Sequence, residues 1–129
     1  MNDLLTGAHT ATAKLPIYLL VRELNRDLGM TLVAYLANVR SRQLPGRWAT
    51  DPEDPSHVEP RTPVKQRLQL AHNVLRSLEQ SDNEHTARQW LVGANPRLSG
   101  LTPADRIREF DGPAVFAAAE AFIEDVGGA

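Results

Sequence analysis

Arg40, Arg42, Gln43 and Arg47 place three guanidiniums and one primary amide on a single short stretch of the chain. Guanidinium forks match phosphate oxygens and guanine edges, and a glutamine amide matches adenine. Helix-turn-helix modules concentrate such residues near the start of their second helix, so these four are the candidate DNA contacts. The competing reading is an arginine-rich solvated turn. Near the other end, Glu120, Glu124 and Asp125 gather three carboxylates. A close pair of carboxylates can act as general acid and base. Acids on a terminal helix more commonly form a solvated face, and no residue is assigned a catalytic role.

Other chemistry is sparse. The four histidines, His9, His57, His72 and His85, include no pair at the i, i+4 spacing of a helical metal site. His9 and His57 fall in a leader and a linker, and His72 and His85 are expected as solvated histidines on polar helix faces. No metal or cofactor is expected. The stretch "GANPRLSG" lacks the Lys-Ser/Thr and the preceding strand of a phosphate loop. Nothing marks Ser41, Ser77, Ser81 or Ser99 as an activated nucleophile. The chain has no cysteine, which removes disulfides, thiolate zinc sites and cysteine nucleophiles.

The elements that must position these residues read as helices. After a loose leader at 1–13, Pro16 suits a first helical turn. Ile17, Leu20, Val21, Leu24 and Leu28 then recur at three- and four-residue spacing before Gly29 stops the helix. Thr31 is the expected N-cap of a shorter helix with Leu32, Leu36 and Val39 or Tyr35 facing inward. Pro45 restricts the next helix to about a turn. From Pro63 the strongest helix begins, its stripe Val64, Leu68, Ala71, Leu75 and Leu78 widened by Leu70 and Val74. So broad an apolar surface needs more than one neighbour. Ser81 and Glu84 read as a capping box before a helix buried through Ala87, Trp90 and Leu91 and ended by Gly93. Trp48 and Trp90 are expected as core anchors.

Asn95-Pro96, Leu98 and Gly100 make a turn, and Thr102-Pro103-Ala104-Asp105 restarts a helix with Ile107 and Phe110 as its apolar contacts. Asp111-Gly112-Pro113 then starts a last helix with Val115, Ala119, Phe122, Ile123 and Val126 on its inner face. No segment alternates strictly with β-branched enrichment, so the predicted fold is all-α, with about six short helices. Three stretches are expected: a helix-turn-helix-like unit at 14–49, an acidic proline-rich linker at 50–62, and a helical domain at 63–129. The 129 residues have room for one compact domain or two very small units sharing a core.

Net charge is −2, unevenly spread: residues 1–50 carry six bases against three acids, and residues 101–129 carry six acids against two arginines. This asymmetry suggests different partners for the two ends, one of them anionic. No apolar run approaches a membrane span and no basic leader with a cleavage site is legible, so a cytoplasmic protein is expected.

Trp90-Leu91, Asn95-Pro96, Leu98, Gly100, Thr102-Pro103, Ile107, Gly112 and Val115, followed by an apolar helix through Ile123, resemble the C-terminal toxin-binding domain of the Xre/MbcA/ParS antitoxin family. The likeness covers roughly residues 64–126. Leu28-Gly29-Met30-Thr31 through Arg47-Trp48 resembles the degenerate Xre-type helix-turn-helix before that domain. The resemblance implies a RES-domain toxin as partner, an enzyme that destroys NAD, whose active-site cleft is covered by the antitoxin's last helix. It also implies a homodimer that represses its own operon by binding operator DNA. Carried over, the toxin-facing residues are Phe116, Glu120, Ile123, Glu124, Asp125 and Val126, and their acids suit a basic pocket built for a dinucleotide. The alternative is a helix-turn-helix repressor without a toxin partner.

Overall fold

The computed structural model describes residues 12–81 and 83–127, with the backbone alone at 81, 84, 126 and 127. Among the described residues the fold is all-helical and contains no strand. Helix α1 is Ile17–Leu28, α2 Met30–Ala37, α3 Leu44–Trp48 and α4 Thr62–Ser81. Helix α5 is Glu84–Val92, a 3-10 turn follows at Pro96–Leu98, and α6 is Pro103–Arg108 and α7 Gly112–Gly127. Most of the expected leader, residues 1–11, lies outside the described residues. Residues 12–14 form a helical turn with Thr12 buried, which corrects the reading of 12 and 13 as loose.

Helix α1 buries Leu20, Val21, Leu24 and Leu28, the stripe its spacing predicts. One residue, Gly29, joins it to α2, with φ +85° and ψ 152°. That combination is accessible almost only to glycine, because a Cβ would collide with the flanking peptide groups. The cap of α2 is therefore Gly29 and not Thr31, which is exposed inside the helix. Tyr35 is correspondingly exposed, while Val33, Ala34, Leu36 and Ala37 are buried. Asn38 ends α2 in the left-handed region, with its amide bonded to the Tyr35 carbonyl and the Val39 amide to that of Ala34. This is the Schellman arrangement, in which Asn is a natural occupant. Helix α3 is five residues long with Pro45 in its first turn, as expected, and it buries Trp48.

Helix α4 is the axis of the molecule and packs against α1, α2, α5, α6 and α7. Its apolar stripe is buried as predicted from Leu68 to Leu78, with Val64 only half-buried, and burial extends to His72, Asn73 and Ser77, because neighbours enclose it on nearly every side. Helix α5 is capped by Asn83, whose side chain accepts the Thr86 amide at 2.9 Å. Ser81 is still the last residue of α4, so the expected Ser81 cap is displaced by two residues. Ala87 and Leu91 are buried, and Trp90 is half-buried.

The corner between α5 and α7 is as tightly specified as its sequence suggests. Asn95 accepts the Arg97 amide, Leu98 is buried, and Gly100 turns the chain at φ +83°. Thr102 and Asp105 form a reciprocal capping box with Pro103 in the first turn of α6. Phe110 departs from expectation: it is 43% exposed, at φ +59°. The Asp111 amide reaches the Arg106 carbonyl and the Phe110 amide that of Ile107. Phe110 thus occupies the left-handed position of a second Schellman motif, which swings its ring away from the core that Ile107 enters.

One hydrophobic cluster runs from Leu20 to Ile123 and draws on α1 to α7. The stretch 49–61 is without helix, yet it is anchored: Val58 packs on the cluster, Pro60 is buried, and the Val58 amide bonds to the Arg47 carbonyl. Residues on both sides of it therefore share a single core.

Candidate functional site

Two surfaces carry the residues singled out from sequence. The first is the α2–α3 loop with α3. Arg40, Arg42, Gln43 and Arg47 are all exposed, and the three guanidiniums have no hydrogen bond or ion pair among the described residues. Arg22 lies close to this surface: its guanidinium donates to the Ala49 carbonyl at 3.0 Å and covers the Tyr18 ring. Arg40, Arg42 and Gln43 sit in the loop and only Arg47 lies on a helix, one of five residues. Unpaired exposed arginines on a short helix and its preceding loop can donate to phosphate oxygens.

The second surface is α7, and helical phase decides which of its residues are available. Val115, Ala119 and Ile123 follow at four-residue intervals and are buried. Phe116, Glu120 and Glu124 follow at the same interval one position on, so they form an adjacent stripe rotated toward solvent. Phe116 and Glu120 are half-buried, and Glu124 and Asp125 are exposed. Ile123, placed on the inner face by its spacing but toward a partner by the resemblance, is 6% exposed in the protein's own core, which bears out the spacing and not the partner-facing role. The Val126 side chain lies outside the described residues. Phe122 is half-buried with its ring 6.1 Å from that of Trp90, tying α7 to α5.

A polar network that the sequence did not reveal joins the segment at 12, α1 and α4. His72, expected as a solvated histidine, is only 3% exposed. Its Nδ1 lies 2.8 Å from the Thr12 hydroxyl and its Nε2 3.1 Å from Glu23 Oε1. Carboxylates only accept, so Nε2 carries the proton and Nδ1 accepts from Thr12. Burial pushes the imidazole below its ordinary pKa, and the Glu23 hydrogen bond opposes this without reversing it. Arg76 joins the same cluster, reaching Glu23 at 3.1 Å, Asp27 at 2.7 Å, and Glu79. Burial alone would raise the Asp27 pKa, but hydrogen bonds from Arg26 and Arg76 hold it below the ordinary carboxylate value. The hydroxyl, imidazole and carboxylate stand in a row, but the Thr12 and His72 ends are both buried. The arrangement therefore fastens the segment at 12 and helix α1 onto α4. A longer-range signal existed only in the sense that His72 and Arg76 share one face of α4, opposite Glu23 and Asp27 on one face of α1.

A second cluster fixes α2 to α6. The Arg108 guanidinium stacks 4.5 Å from the Tyr35 ring and donates to the Tyr35 carbonyl, and the Tyr35 hydroxyl donates to Asp105. Arg67 on α4 donates to the Arg108 carbonyl and lies over Phe110. Among the described residues no three His, Asp or Glu converge as metal ligands, and no helix is long and apolar enough to cross a membrane. No protein-family model, characterised protein or solved structure matches the chain.

Proposed function

We propose that the chain is the antitoxin of a toxin–antitoxin pair, binding and neutralising a RES-type, NAD-degrading toxin through α7 and repressing its own operon. The observation that carries this reading is the Phe116, Glu120, Glu124 stripe with Asp125 beside it, on a helix whose core side is held by Val115, Ala119 and Ile123. Acids held on a helix already braced by its own core lose little conformational entropy on binding. A cleft that binds the phosphates of a dinucleotide is basic and accepts carboxylates in their place. The resemblance of residues 90–115 to the toxin-binding domain of Xre/MbcA/ParS antitoxins supports the same reading.

Truncation before Pro113 would remove core residues, so point substitutions are the cleaner test. Co-expression with the toxin-sized product of an adjacent reading frame is expected to restore growth. The double variant Glu124→Lys, Asp125→Lys should lose that protection while keeping its helical circular dichroism. Failure of the wild-type chain to protect, with no stable complex formed, removes the antitoxin role.

The unpaired Arg40, Arg42 and Arg47 favour a second reading, a helix-turn-helix repressor without a toxin partner. A gel shift on DNA upstream of the gene, abolished and made less salt-dependent by alanine at all three positions, would support DNA binding. No shift with wild-type protein would exclude it.

A further inference from the structure

A concave space of about 440 Å³ opens between the α2–α3 segment and the stretch leading into α4. Its walls are apolar and come from Val39, Leu44, Trp48, Val58 and Val64. These walls are set before anything binds. The Schellman bonds at 38 and 39 hold one side, the Val58 amide is tied to Arg47, and Pro60 and Pro63 stiffen the other. The volume falls in the range of about 300–1,000 Å³ typical of small-molecule sites.

The rim is ionic, with Arg61, Arg67 and Glu59. Glu59 is engaged by Lys65 and His57, each at 3.4 Å. Arg67 spends Nε on the Arg108 carbonyl and Nη1 on the Pro63 carbonyl. Arg61 is exposed and its guanidinium has no partner among the described residues. The first turn of the twenty-residue α4 borders the same rim and adds the positive end of its dipole. An apolar hollow with an unsatisfied cation at its mouth selects an occupant with the opposite division: an apolar body and one negative head.

We infer that this hollow binds a small amphipathic monocarboxylate, its hydrocarbon part lying against Trp48, Val39 and Val64 and its carboxylate paired with Arg61. The inference goes beyond the antitoxin reading and does not depend on it. Val39 and Leu44 bracket Arg40, Arg42 and Gln43 in sequence, so an occupant would brace the loop that carries these polar residues.

Trp48 lines the hollow and provides its own reporter. In the Trp90→Phe variant it is the single tryptophan, and its fluorescence can be titrated with sodium dodecanoate below the micellar concentration. A saturable change is expected, weakened about tenfold by Arg61→Ala through loss of one charge-assisted contact. Dodecanol should bind about tenfold more weakly than dodecanoate for the same reason. Absence of a saturable change would overturn the inference. So would equal binding of dodecanoate and dodecanol with no effect of Arg61→Ala. Self-association abolished by Val58→Asp, with no carboxylate signal, would assign the hollow to a second copy of the chain and overturn it too.

Discussion

Two hydrogen bonds, from the Thr12 hydroxyl to Nδ1 and from Nε2 to Glu23, fill both ring positions of a neutral His72. Burial lowers its folded pKa below the ordinary value of 6.5. Between the folded value and 6.5 the unfolded chain binds a proton that the folded chain refuses. Stability therefore rises with pH across that window, is fully present above it, and is lost as pH falls through it. The thermal midpoint of the wild-type protein is expected to decline as pH is lowered from about 7 toward about 5. His72→Gln, which keeps an amide able to bond but cannot titrate, should flatten that decline relative to wild type. Equal slopes in the two proteins would contradict this account. Periodicity assigned His72 to a polar face because histidine reads as polar wherever its partners are unknown. Its partners are 60 and 49 residues away, beyond the reach of any local pattern.

At the scale of elements, apolar spacing and turn chemistry located most helices, since both are set by residues three or four positions apart. The stripes of α1 and α4, the single turn allowed by Pro45 and the Thr102–Asp105 box follow this logic. Errors fell at boundaries where two local signals compete. Thr31 and Gly29 both offer a start to α2, and the one-residue joint decides for glycine. The cap of α5 falls on Asn83 and not on the expected Ser81, because α4 continues through Ser81. Gly29 yields a direct prediction. Its two chain neighbours aside, no heavy atom lies within 4 Å of where its Cβ would stand, so the cost of Gly29→Ala is local backbone strain alone. Urea denaturation should show a loss of about 1–3 kcal/mol with little change in slope. A neutral effect would mean that the α1–α2 joint does not need its positive φ.

For the whole molecule, the shared core makes the two expected units one cooperative body. Trp48 sits in the first unit and Trp90 in the second, and both pack on the same cluster. Single-tryptophan variants, Trp90→Phe and Trp48→Phe, should therefore each give an unfolding midpoint that coincides with that of circular dichroism in the same protein. A fluorescence transition separated from the backbone transition would show that the stretch at 50–62 divides the chain energetically as well as in composition. The arrangement also links the two candidate surfaces through α4, which packs directly on α7 and on α1 and α2, the two helices against which α3 rests.

The amino-acid order alone determined the helical class, the core stripes, the tight corner at 95–105 and the separation of a basic first part from an acidic last part. Each of these depends on neighbours close along the chain or on simple composition. Spacing also put Ile123 on the inner face with Val115 and Ala119; only the tertiary structure decided between that face and the partner-facing role the resemblance implied, because rotation of a helix is set by what packs against it. It alone brought Thr12, Glu23 and His72 together, and closed Val39, Trp48 and Val58 around one hollow. Those contacts join distant residues through a common core, and no pattern of near neighbours encodes which distant faces meet.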